Sequence, residues 1–247
     1  MKKYCIVLFL FAALSAASSS VVSAQSESNI AGFVSGTGGA FNLTFPDAGP
    51  AGQAIGENVG FEDVYGSKSG FSYGGEVGLG LGDIGIFGVA KYRAWKKSGK
   101  PVMLAGASFN GEAEWSQNFF SAGLRYFLVK QTQESKTLLP FVGGGVIYCK
   151  GTESMKGEVT YMGESEYADA EVQFDGTGFY VEGGTDLYVA PNVSLRGIVE
   201  YSSLKLSASA VRLGGNTYAA EGEINGGGGI FAGVSLSMFF GKPMKKF

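Results

Sequence analysis

Twelve residues near the C-terminal end, Gly229 to Phe240, alternate their side chains into two sets, and few folds accept that pattern. Ile230, Ala232, Val234, Leu236, Met238 and Phe240 share one face, wholly apolar, while Gly233, Ser235 and Ser237 share the other with Phe231 and Phe239. A water-soluble sheet would bury the apolar face in a core. A strand of about 10 residues, apolar on one side and closed by an aromatic, also fits a tilted strand crossing a membrane.

The N-terminus bears on that choice. Lys2 and Lys3 precede an apolar run, Tyr4 to Leu14, and Val22-Ser23-Ala24 has the small-x-small form of a signal-peptidase site, so residues 1–24 read as an export signal. Cys5 lies at the start of the apolar run, away from any cleavage site, which argues against a lipoprotein anchor. No later stretch approaches the roughly 18 consecutive apolar residues of a membrane helix. A chain of this kind stays in a membrane only as a closed sheet, because lipid offers no partner to an open backbone edge.

Removing Lys2 and Lys3 with the signal leaves 17 basic against 22 acidic groups, a net of -5 on one domain, residues 25–247. Such a chain has no basic stripe to neutralise phosphates, so nucleic acid is not expected as a partner. Only Cys149 survives processing, which excludes an intrachain disulfide. The chain contains no histidine, the usual general base and the commonest transition-metal ligand. No catalytic residue, cofactor or metal site is expected, and Cys149 reads as a small packing residue. Gly78-Leu79-Gly80-Leu81-Gly82 and Gly143-Gly144-Gly145 open no predicted helix and read as close-packed strand glycines, not phosphate loops.

Alternation predicts eight strands, at about 30–43, 68–81, 84–95, 112–129, 138–149, 175–189, 193–206 and 228–240. Connections at Gly82-Asp83, Gln131 to Thr137 and Ala190-Pro191-Asn192 are short and fall on one rim; those near 44–67, 96–111, 150–174 and 207–227 are long and fall on the other. The predicted fold is all-β, an eight-stranded antiparallel transmembrane β-barrel in an outer membrane, with outer-membrane lipid around it, both termini periplasmic and a tail at 241–247. In every strand but the first and fifth, charged residues share the face that carries glycine and serine. Turning that face to lipid would cost roughly 2 to 4 kcal/mol for each midplane Lys or Arg, so the charges are expected inside. A soluble lipocalin-like barrel is the alternative; it inverts the pattern, with charges facing water. Tyr126 and Phe240 toward the short turns, with Phe71, Tyr73, Tyr92, Phe179 and Tyr201 toward the long loops, match interfacial girdles.

Inside such a barrel Glu76, Glu182, Asp186 and Glu200 would meet Lys91, Arg93, Arg125 and Arg196, four against four. Eight strands leave an interior that side chains fill, so these groups are expected to pair and seal the lumen; a gated ion path is the other reading. The region 150–175 holds seven acids against Lys150 and Lys156, and its alternation, as in Glu158-Val159-Thr160-Tyr161, predicts a hairpin that projects beyond the membrane. The loop 207–227 does the same around Gly214-Gly215-Asn216. Exposed strand edges of this kind can take a partner by adding a strand. A solvated acidic surface is the plainer reading.

Pro140-Phe141-Val142-Gly143-Gly144-Gly145, Pro191-Asn192-Val193-Ser194-Leu195-Arg196, Glu200-Tyr201 and the last strand together resemble the small outer-membrane barrels of the OmpA, OmpX and opacity-protein kind. The resemblance implies a surface protein serving adhesion, surface interaction or envelope integrity, with a host or surface ligand at its loops; a narrow porin-like channel for ions or small solutes is the alternative. It also implies a monomer and a recognition signal for the barrel-assembly machinery in Phe231, Gly233, Leu236, Met238 and Phe240. The chain departs from the pattern in two ways: a tail follows Phe240, and no peptidoglycan-binding domain follows the barrel. Enzymes known on such barrels rely on a histidine, so the resemblance does not extend to catalysis.

Overall fold

The computed structural model describes residues 30–44, 69–81, 85–99, 107–128, 138–190, 192–224 and 228–241. The expected signal segment and most of the tail lie outside them. Nine strands form: β1 Ile30–Thr44, β2 Ser69–Leu81, β3 Ile86–Gly99, β4 Ala107–Phe127, β5 Leu138–Tyr161, β6 Glu164–Ala190, β7 Val193–Leu213, β8 Asn216–Ile224 and β9 Gly228–Gly241. Each pairs antiparallel with its neighbour, and β1 against β9 closes an eight-membered ring. The count of eight wall positions is as the alternation predicts, because β8 and β9 occupy the same position at different heights. β7 pairs with β9 from Val193 to Ser202 and with β8 from Leu206 to Leu213.

Closure leaves no free edge at mid-height, as a sheet in lipid requires. The outer wall there is apolar and exposed: Leu79, Leu124, Val146, Val181, Val199, Val234, Leu236 and Met238 are each more than half exposed. An apolar band of that extent around a whole molecule belongs in hydrocarbon. Tyr92, Phe120 and Tyr148 stand side by side on its upper border, with ring centroids 5.2 and 6.4 Å apart.

The strand limits differ from expectation on one side only. At the rim where Ile30 faces Leu81 and Ala31 faces Gly241, strands stop at short connections. Gly85, with φ +67, makes one of them, its N–H donating to the Leu81 carbonyl at 3.1 Å. At the other rim β4 to β7 run well past the predicted ends. β5 continues for 13 residues beyond Tyr148, roughly 40 Å of strand at about 3.3 Å per residue. Pairing persists because the alternation persists: Gly151, Met155, Val172, Phe174, Leu206 and Ala208 are buried on the inner face, with one acid, Glu153, among them.

Candidate functional site

All eight charged residues singled out from the sequence point into the lumen, and the structure joins them in one alternating chain. It begins at Asp186, whose carboxylate accepts from Arg196 Nε at 2.8 Å and Nη2 at 2.9 Å. Arg196 reaches Glu76 through Nη1. Glu76 accepts two bonds from Arg125, Nη1 and Nη2, each at 2.9 Å, and Arg125 Nε turns to Glu182 at 2.9 Å. Lys91 links Glu182 to Glu200, bonding the latter at 2.9 Å, and Arg93 ends the chain on Glu200 at 2.7 Å. Seven of the eight residues are buried, and Lys91 is nearly so.

Neighbouring strands account for only part of this arrangement. Asp186 and Arg196 face each other directly across β6 and β7. Glu182 and Glu200 also face each other there, and two carboxylates in that position repel. Lys91, arriving from the opposite wall on β3, bonds both and removes the conflict. Serines complete the shell: Ser35 Oγ donates to Glu76 at 3.1 Å and Ser194 Oγ to Asp186 at 3.1 Å.

Two aromatic layers enclose the chain of charges. Below it Tyr188, Phe239, Phe33, Phe87, Phe127 and Phe141 follow one another with centroids 5.3 to 5.8 Å apart, a belt drawn from six strands. Above it Phe119, Phe41, Trp95, Trp115 and Phe174 do the same at 5.2 to 6.3 Å. The cations lie against rings of the lower layer and against two further inward rings, Phe231 and Tyr180. Arg125 sits 4.5 Å from the Phe141 centroid, Arg196 4.7 Å from Phe33, Arg93 4.4 Å from Phe231 and Lys91 3.9 Å from Tyr180. At those distances ring faces stabilise a desolvated cation by about 2 kcal/mol.

None of the aromatics expected in the girdles belongs to these layers. Part of their signal lay in the two strands that broke the parity rule. On β1 the inward residues include Ala31, Phe33 and Phe41, and on β5 Leu139, Phe141, Ile147 and Cys149. Both strands are apolar on both faces, and Phe33, Phe41 and Phe141 on them join the layers, while the other rings come from β3, β4, β6 and β9. Gly78 shows how the rings fit: a Cβ there would lie 2.2 Å from Phe33 Cε1, so the ring occupies the side-chain space of the neighbouring strand. Cys149 is buried among these residues, and neither glycine run opens a helix; Gly143 to Gly145 are strand residues.

The five residues of the expected assembly signal do not share a face. Phe231 is buried in the lumen under Arg93, and Gly233 faces inward against the Phe231 ring. Leu236 and Met238 face outward and are more than half exposed. Phe240 is half-buried across the closing seam, its Cε2 within 2.4 Å of where a Cβ on Gly32 would stand. What five residues on two faces present together is an outward, lipid-side row and an inward anchor.

The second candidate site is the raised part of β3 to β8. Its outer face carries Lys96 paired with Glu114 at 2.7 Å and Lys156 near Asp169 at 3.8 Å, all at least partly exposed. Among the described residues no group of three or more Cys, Asp or Glu side chains is arranged to hold a metal ion.

Comparison with solved structures finds Neisserial surface protein A, at 14% identity and a TM-score of 0.43 over 86% of this chain and 98% of that one. It also finds OprG from Pseudomonas aeruginosa, at 13% identity and 0.49 over 87% and 98%, and Ail, the attachment invasion locus protein of Yersinia pestis, solved with the heparin analogue sucrose octasulfate, at 10% and 0.40 over 85% and 98%. No curated protein matches the sequence. Residues 9–225 match the family model described as the outer membrane protein beta-barrel domain. With a closed eight-membered ring, an apolar exterior and that match over most of its length, the chain belongs to the outer membrane β-barrel family.

Proposed function

We propose that this barrel is a surface-interaction protein of the outer membrane, in which the lumen is a structural plug and the raised hairpins carry adhesion or another contact at the cell surface. The observation that supports this most is the contrast between a filled interior and strands continued far past the girdle. Every one of the eight lumen charges has a partner of opposite sign, and an aromatic layer lies on either side of them. Eight strands leave little room beyond what those side chains occupy. The short-turn rim, where both described chain ends lie, is the periplasmic side in this reading, and the raised hairpins are extracellular. The protein acts as a monomer, and Leu236, Met238 and Phe240, with Phe231 and Gly233 behind them, present the last strand to the barrel-assembly machinery.

The test replaces residues 157–168 with Asn-Gly, so that Lys156 and Asp169, which face each other across β5 and β6, flank a two-residue turn. The shortened barrel is expected to insert normally and to migrate differently before and after boiling in SDS. Attachment of expressing cells to protein-coated surfaces and epithelial monolayers is expected to fall to the level of cells lacking the protein. A porin-like channel is the competing reading. Steady single-channel currents from the wild type in planar bilayers, with attachment unchanged by the replacement, would overturn the surface reading in favour of conduction.

A further inference from the structure

The two raised hairpins end at different heights, and the step between them leaves backbone unpaired. β6 pairs with β7 as far as Ala170 opposite Leu213, and the Gly214 N–H donates to the Asp169 carbonyl at 3.0 Å. Beyond that point Glu164 to Ala168 have β5 on one side and, among the described residues, no strand on the other. The open stretch is roughly 17 Å long at about 3.3 Å per residue. The bond from Gly214 also fixes which groups point into the gap. Asp169 directs its carbonyl toward the β7 side, so by the period of two Tyr167 and Ser165 direct their N–H and C=O groups the same way. Glu164, Glu166 and Ala168 direct theirs to β5.

The floor of the step is the β7–β8 turn. Gly214 and Gly215 have φ of +53 and +87, and a Cβ on either would meet nothing within 4 Å, so the space above the turn is open. Large side chains stand around it in water: Tyr167 is 68% exposed, Tyr218 53% and Leu213 45%. The charge is one-sided. From Lys156 to Glu171 the hairpin carries Glu158, Glu164, Glu166, Asp169 and Glu171 against Lys156, which already lies beside Asp169. Glu164 and Glu166 are exposed and alternate with Ser165 and Tyr167.

We infer that this step binds an extended basic peptide segment by strand addition, the peptide continuing the line of β7 above its turn. Its main chain bonds the free groups of Ser165 and Tyr167, its lysine or arginine side chains face Glu164 and Glu166, and its apolar side chains, on the opposite face, rest on Tyr167. Strand edges with free groups are templates for pairing, and side chains in alternate positions supply the selectivity. A sulfated polysaccharide is disfavoured by the same acids. The inference rests on the reading that the raised hairpins carry the surface function, and it names the partner chemistry of one of them.

The experiment uses the full protein in lipid nanodiscs and two labelled peptides, one alternating lysine with valine and one alternating glutamate with valine, followed by fluorescence anisotropy. The basic peptide is expected to bind at least about ten-fold more tightly and to weaken as salt is raised. Tyr167→Pro removes a donor aimed at the gap and leaves the β5 ladder intact, since proline is tolerated on an edge with its missing N–H toward solvent. That variant is expected to lose about ten-fold or more in affinity, whereas Tyr167→Ala keeps most of it. Ser165→Pro serves as a second blocking variant, and unchanged gel migration shows that each is folded. The inference is overturned if the basic peptide fails to bind, if both peptides bind equally, or if folded Tyr167→Pro and Ser165→Pro bind like the wild type. Should that happen while loss of the hairpin still abolishes cell attachment, the surface reading stands and the basic segment does not.

Discussion

The lumen and the raised hairpins treat charge in opposite ways. At mid-height in the lumen, four acids and four bases are buried or nearly so and bonded into a single alternating chain, and Glu153, higher on β5, is buried as well. On the hairpins, acids outnumber bases, and the described ion pairs Lys96 with Glu114 and Lys156 with Asp169 are partly or wholly exposed. The same strands pass through both regions, so the difference does not come from local backbone. It comes from solvent. A charge that cannot reach water must find a partner, and breaking one buried pair leaves the other stranded. An exposed charge on the raised sheet keeps its water, and its pairing decides little about stability.

The sharpest way to break this comparison is to remove one lumen charge. Arg196→Ala strands Asp186 and takes one of the two arginines from Glu76. The expected loss is about 3 to 5 kcal/mol, read as a lower urea midpoint of the reconstituted barrel. Unchanged stability, together with altered ion selectivity in a wild type that already conducts, would mean the lumen is hydrated and would remove the distinction between the regions.

A smaller effect is expected at the seam. Phe240→Ser empties the space above Gly32 and takes an aromatic from the end of the last strand. The ring is half-buried, so the cost is expected below the roughly 3 to 5 kcal/mol of a fully buried Phe, and it should appear as less protein in the outer membrane and more degradation in the periplasm. Phe247→Ser is the comparison; the residue lies outside the described strands and is expected to matter less. Equal sensitivity at the two positions would separate assembly from the seam.

The smallest effect belongs to the raised sheet. Lys96→Ala removes an exposed ion pair and is expected to change stability by less than about 1 kcal/mol. A loss approaching that of Arg196→Ala would show that the raised sheet is as dependent on paired charge as the lumen.

Much of this architecture can be read from alternation. The inward placement of Glu76, Lys91, Arg93, Arg125, Glu182, Asp186, Arg196 and Glu200 follows from face parity and the cost of charge in lipid. The hairpin beyond residue 150 follows from alternation that continues where hydrophobicity stops. Parity does not say which residues meet across the interior. Lys91 bonds Glu182 and Glu200, 91 and 109 positions away, and no local pattern records that. The aromatic layers escape alternation for a related reason: rings such as Phe87 and Trp95 share the inward face of β3 with Lys91 and Arg93, and parity does not say that they meet rings from other strands.

The order of the lumen charges along the chain carries one further consequence. β2 to β4 contribute Glu76, Lys91, Arg93 and Arg125, a surplus of two positive charges; β6 and β7 contribute Glu182, Asp186, Arg196 and Glu200, a surplus of two negative ones. Neither half of the polypeptide can neutralise its own interior. A half-made wall therefore exposes unbalanced charge along the side that must become dry, and each half supplies what the other lacks. The barrel is consequently an electrostatic handshake between the first and second halves of the chain, which makes completion of the ring, and not any single hairpin, the step at which the interior becomes stable.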